Sequence, residues 1–87
     1  MGARAIYKPP LELPPELRRR PLEVVVVAHL RIAADGSVEA ELSEPTADPV
    51  LNQWLIAWFR KYRFFPALRD GKPVASELDL RQPVVVK

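Results

Sequence analysis

From Glu23 to Ala33 the chain repeats with a period of two: Val24, Val26, Ala28, Leu30 and Ile32 fall on one side, and Val25, Val27, His29 and Arg31 on the other. Successive side chains of a strand point to opposite faces, so this spacing and its β-branched content predict a strand with one apolar face. Asp35-Gly36 follows, a turn pair because glycine accepts positive φ without strain. The return segment alternates again, with Val38, Ala40 and Leu42 inward and Ser37, Glu39 and Glu41 outward. An antiparallel hairpin with one wet face satisfies both halves of that pattern.

Beyond the hairpin the period changes. Thr46 or Asp48 can cap a helix, and Pro49 fits its first turn. At roughly 100° per residue, Leu51, Trp54, Leu55, Trp58 and Tyr62 form a stripe that should face the sheet. Asn52, Gln53, Ile56, Arg60 and Arg63 fall on the far side, with Phe59 at the border. Phe65-Pro66 ends the helical register. After the turn pair Asp70-Gly71 a last strand is predicted from Val74 to about Gln82, with Ser76, Leu78 and Leu80 inward and Glu77, Asp79 and Arg81 outward. Pro83 is expected to end its regular pairing.

The N-terminal part reads differently. Five of the ten prolines are Pro9, Pro10, Pro14, Pro15 and Pro21. Each fixes its own φ and pushes its predecessor toward extended backbone. Residues 1–12 are therefore expected to be an extended, proline-rich tether, with the folded domain over 13–87. Pro15 to Arg20 can form one helical turn, with Glu16 at the positive end and the arginines at the negative end, before Pro21 stops it. The expected fold class is thus α+β: a three-stranded antiparallel sheet with one main helix and a short N-terminal helix packed on one face.

Eighty-seven residues make one domain. With no cysteine and no cluster of metal-binding residue types, packing alone must hold it together. A net charge of +2 is too small an imbalance to argue for nucleic acid. Apolar runs such as Val24 to Ala28 are far short of the roughly 20 residues of a membrane span. Met1 to Arg4 leads into Tyr7-Lys8-Pro9-Pro10 without the apolar region of a signal peptide, so any targeting segment is expected to have been cut away, to lie upstream in a longer parent, or not to exist.

Chemistry-bearing patterns are sparse. His29 is the single histidine. With no second histidine and no carboxylate cluster placed beside it, it reads as a partly exposed strand residue rather than a general base or metal ligand. Ser37, Ser43 and Ser76 lack a nucleophile elbow or a base, and no phosphate-binding glycine loop exists, so an enzyme is not expected. Arg18-Arg19-Arg20 with Arg60, Lys61 and Arg63 can be read as a basic surface for acidic lipid, peptidoglycan or nucleic acid. The plainer reading is solvated charge at helix ends, without exposed aromatic residues for stacking.

The geometry of the sheet is more informative. A three-stranded sheet has two edges, and an edge exposes unpaired N–H and C=O groups. In the segment Val74, Ala75, Ser76, Glu77, Leu78, Asp79, Leu80 and Arg81, three charged side chains guard such an edge. A guarded edge either stays bare or accepts one particular extended peptide by strand addition, and both readings stand at this point.

The order of motifs carries a resemblance. Leu13-Pro14-Pro15-Glu16-Leu17-Arg18, the alternating strand with Asp35-Gly36-Ser37-Val38, Leu51, Tyr62-Arg63-Phe64-Phe65-Pro66-Ala67, Gly71 and Pro73-Val74 follow one another as in the C-terminal domain of the TonB energy-transducer family, which this chain resembles over most of its length after Leu13. It departs from the family pattern in Leu13, where tyrosine is usual, in Tyr62, where tryptophan is usual, and in Pro21-Leu22-Glu23 in place of a glycine. Bulky Trp54 and Leu55 also stand where the family often has alanine.

The resemblance implies a periplasmic domain of an inner-membrane-anchored parent whose anchor is absent from this chain. It implies association of that parent with ExbB and ExbD, and capture of the TonB box of outer-membrane transporters for siderophores, haem or cobalamin. Val74 to Arg81 would pair with that peptide, helped by Leu13, Pro14 and Pro15. A homodimer is a further possibility that it brings, and no cofactor and no nucleic acid are implied. The alternative is a structural or sensory interaction domain that shares the fold without transporter coupling.

Overall fold

The turn at Asp35-Gly36 sets the centre of the molecule. Ala33 N–H donates to Ser37 O at 2.9 Å and Gly36 N–H to Ala33 O at 2.9 Å. The Asp35 carboxylate accepts both the Ser37 hydroxyl, at 2.6 Å, and the Ser37 N–H, at 2.9 Å, and these bonds hold its pKa below the usual carboxylate range. Strands β2 (Leu22–Ile32) and β3 (Val38–Glu44) flank this turn, preceded by β1 (Arg4–Tyr7). Helix α1 (Pro49–Phe59), β4 (Arg63–Phe65), β5 (Ala67–Arg69), β6 (Lys72–Val74) and β7 (Ser76–Val86) follow. These elements come from a computed structural model that describes residues 2–87.

The main sheet is three-stranded and antiparallel in the order β3-β2-β7, with α1 packed over β3 and β2. The expected α+β class and three-stranded sheet are observed. Val26, Leu30 and Ile32 of β2 meet Leu55 and Phe59 of the helix and Val84 of β7 as the most deeply buried large side chains. Asp48 caps α1, its carboxylate accepting Val50 N–H at 2.9 Å, while Thr46 and Asn52 close the preceding loop on each other.

Several expectations are corrected. Phe59, placed at the border of the helical stripe, is fully buried, and Tyr62 is not helical at all. The helix stops at Phe59, and a turn with Tyr62 N–H donating to Phe59 O at 3.1 Å swings the Tyr62 ring back onto the core. Burial raises its phenol pKa. The short N-terminal helix is absent as an α-helix, and only Pro15–Leu17 form a single 3-10 turn. Nucleating an α-helix costs more than so few residues between Pro15 and Pro21 return.

Residues 2–12 are extended as expected but docked rather than free. β1 pairs with β4, Pro9 is buried, and the Pro10 carbonyl accepts the Trp58 indole N–H at 2.9 Å. The final strand also differs from expectation. It begins at Ser76 rather than Val74, because Val74 belongs to the small β5–β6 hairpin and Ala75 is the link. It then continues through Pro83 to Val86, since an edge strand tolerates a residue with no N–H to donate outward.

Gly36 is held against the start of β4. Phe64 N–H donates to Gly36 O at 3.3 Å, and at φ +88° a Cβ on residue 36 would collide with the Phe64 carbonyl oxygen. Gly36→Ala is expected to cost about 2 kcal/mol or more, a fall in Tm of roughly 10 °C for a domain of this size. A thermal melt within a degree or two of the parent would show that this approach can relax.

Candidate functional site

Parity along the sheet decides which main-chain groups are free. The Ala33–Ser37 bond makes Ala33, and with it Arg31 and His29, point its backbone toward β3. Even-numbered residues of β2 then bond to β7, so Leu78, Leu80, Gln82 and Val84 are their hydrogen-bonded partners. Glu77, Asp79, Arg81, Pro83 and Val85 turn their backbone groups away from the sheet. Two observations agree with this. Pro83, which cannot donate, falls opposite Val25 in a pair that needs no donor, and its carbonyl accepts the Gln82 side-chain N–H at 2.8 Å instead of a β2 amide.

Among the described residues nothing pairs with the outer side of β7. Its helix-side residues Leu78 and Leu80 are half-buried, whereas their partners Leu30 and Ala28 on β2 are fully buried. The edge therefore has a free backbone ladder beside a partly covered apolar shelf. The Ser76 hydroxyl is buried at its start and has no hydrogen-bond partner among the described residues.

The expected site residues do not all converge. Ser76, Glu77, Leu78, Asp79, Leu80 and Arg81 lie on the free edge, while Val74 and Ala75 precede it. Leu13 is in the core, Pro14 is half-buried and Pro15 is exposed. Leu13 and Pro14 reach β7 only at its far end, where with Leu11 and Arg18 they face Val84, Val85 and Val86 across a groove of about 640 Å³. The final valines were missed because Pro83 was read as a terminator. Their β-branched run was the signal, together with the rule that edge strands accept proline.

The other missed feature is on the open face. His29 lies opposite Asp79, and its Nδ1 is 2.8 Å from Asp79 Oδ1 while its Nε2 is 3.3 Å from Glu77 Oε1. Glu41, opposite His29 on β3, is taken by Arg31 at 3.5 Å. The two β7 carboxylates that sequence spacing did not bring together with His29 hold it across the strand pair. The hydrogen bonds to Asp79 first and Glu77 second raise its pKa above the ordinary 6.5.

A histidine whose pKa is raised by folding stabilises the fold fully below its unfolded value, near 6.5, and loses that contribution as pH rises through the higher folded value. The Tm difference between the chain and His29→Gln is therefore expected to be largest below pH 6.5 and to shrink above neutrality. A difference that grows toward alkaline pH would reverse the sign assigned here.

The basic residues do not form one surface. Arg19 and Arg20 line a groove with Pro49 and Leu51 at the start of α1, while Arg60, Lys61 and Arg63 follow its end. An 11-residue helix, about 16 Å long, separates them. Among the described residues no three His, Cys, Asp or Glu side chains are grouped to hold a metal, and no helix is long and apolar enough to cross a membrane. No protein-family model matches this chain, and no curated protein matches it.

Proposed function

We propose that this chain captures an extended peptide by adding it as a fourth strand along β7, and that it works as a C-terminal domain of the TonB type. The observation that carries this reading is the 11-residue edge strand whose odd-numbered residues direct their backbone outward. Glu77, Asp79, Arg81 and Val85 have N–H groups to offer, with a gap at Pro83. The peptide's apolar side chains would rest on the half-covered Leu78 and Leu80, and its end would enter the groove between Val84–Val86 and the Leu11–Pro14 segment.

About five backbone bonds at ~0.5–1.5 kcal/mol net give a few kcal/mol before the cost of association. The partner is then transient, held with a Kd between about a micromolar and a millimolar. On this reading the peptide is the TonB box of an outer-membrane transporter for siderophores, haem or cobalamin, and the setting is the periplasm. Force reaches the domain from ExbB and ExbD through an anchored parent. The domain itself performs no chemistry. The same edge admits a second copy of the chain, so self-pairing along β7 competes with the peptide as protein concentration rises.

Amide shifts recorded while an extended TonB-box peptide is titrated test the proposal. The largest changes are expected from Ser76 to Val86 and in the Leu11–Pro14 segment. Changes confined to α1 or β3 would rule out capture at this edge.

A further inference from the structure

Beyond the Ser76 end of β7 the four short strands build a separate surface. β1 pairs with β4 and β5 with β6, the latter through a two-residue turn in which Asp70 has φ +52° and Gly71 +76°. This end of the molecule exposes large apolar side chains: Ile6 at 55%, Tyr7 at 50%, Phe65 at 58% and Leu68 at 38%. Arg4 and Phe65 are cross-strand partners, and with Pro66 and Leu68 they line a shallow cavity of about 390 Å³.

The charge is one-sided. Strands β1, β4, β5 and β6 carry Arg4, Arg63, Arg69 and Lys72 and not one carboxylate. None of these four takes part in an ion pair among the described residues. Asp70, in the turn between Arg69 and Lys72, is the one carboxylate of this end, so four cations face one carboxylate here, while the rest of the chain, with nine cations and ten carboxylates, is close to balance. Tyr7 and Phe65 are not legible in the sequence as exposed rings beside cations, because they come from segments expected to be a tether and a helix end.

We propose that this tip docks on an anionic lipid surface, with Phe65, Leu68 and Ile6 entering the headgroup boundary and Arg4, Arg69 and Lys72 meeting lipid phosphates. Exposed apolar side chains and cations carried on the same short strands suit that interface, where each basic residue adds attraction to anionic headgroups. A single-stranded nucleic acid would instead need a platform of rings, and here two of the four exposed apolar side chains are aliphatic.

Vesicles of equal parts phosphatidylglycerol and phosphatidylcholine, compared with phosphatidylcholine alone, provide the probe in a sedimentation assay. Binding is expected to the anionic vesicles only and to weaken with added salt. Arg69→Ala with Lys72→Ala should reduce affinity roughly twenty-five-fold, at about fivefold per cation. Phe65→Ser should reduce it by about tenfold. All three positions are exposed, so each variant should melt with the parent, and a melt confirms that the fold is intact. Equal binding to neutral vesicles, variant affinities unchanged from the parent, or binding of an oligonucleotide in place of anionic vesicles would each overturn the proposal.

Discussion

Trp58→Ala is expected to leave much of the protein unfolded at room temperature. The indole is 4% exposed, stands edge-on to Phe59 at 4.9 Å and to Tyr62 at 5.4 Å, and donates its N–H to the Pro10 carbonyl at 2.9 Å. Truncation removes all of these at once. A tryptophan cavity costs ~3–5 kcal/mol, against a total of about 5 kcal/mol at the low end for small domains. Trp58→Phe separates the two roles. It keeps most of the packing and breaks the link to Pro10, at about 1 kcal/mol, so amide protection should fall in β1 while β2 stays protected. An unchanged denaturation midpoint for Trp58→Ala would show that the core is not organised around this ring.

The second large effect comes from the parity of the edge strand. Leu80→Pro should cost roughly 3–5 kcal/mol, because Leu80 is a hydrogen-bonded partner of Ala28 and also packs on the core. Its neighbour Arg81, paired with Val27, points its N–H outward, so Arg81→Pro should leave the melt within about 1 kcal/mol of the parent. The two variants differ by one position and should diverge in opposite assays. Arg81→Pro should keep the fold and weaken peptide capture at least tenfold, since an incoming strand loses a donor beside the gap already present at Pro83. If Arg81→Pro unfolds the protein and Leu80→Pro does not, the register is shifted by one residue and the free groups belong to the even-numbered positions.

The legible parts of this fold were those set by neighbours in the chain. The alternation of β2 and β3, the Asp35-Gly36 turn and the Asp48-Pro49 helix start follow from side-chain periodicity and from backbone preferences of glycine, proline and aspartate. The same local reasoning erred where a distant partner overrode it. Pro83 looked like a strand end, yet β2 holds β7 in register on both sides of it. Tyr62 continued the helical stripe on paper, yet the chain leaves the helix at Phe59 and returns the ring by a turn.

The candidate site divides along the same line. A guarded edge near Glu77, Asp79 and Arg81 was readable from alternating charge. Which backbone groups face outward required the register of β7 on β2, a pairing between residues about fifty positions apart. The cross-strand contact of His29 with Asp79 and Glu77 depends on that register too, as does the meeting of Leu13 with the final valines. The basic tip was hidden because β1 and β4 are short and carry no periodic signal of their own.

By itself, then, the amino-acid order determined a hairpin, a capped helix and a closing strand, and so the α+β class, because those elements arise from spacing that each segment carries within itself. Only the tertiary structure decided that the N-terminal residues dock, that β7 runs to Val86 with its odd-numbered backbone free among the described residues, and that the exposed rings of Tyr7 and Phe65 stand across β1 and β4 from Arg63 and Arg4. Those outcomes rest on contacts between segments far apart in the chain, whose geometry is set by the packing of the whole core rather than by any local preference.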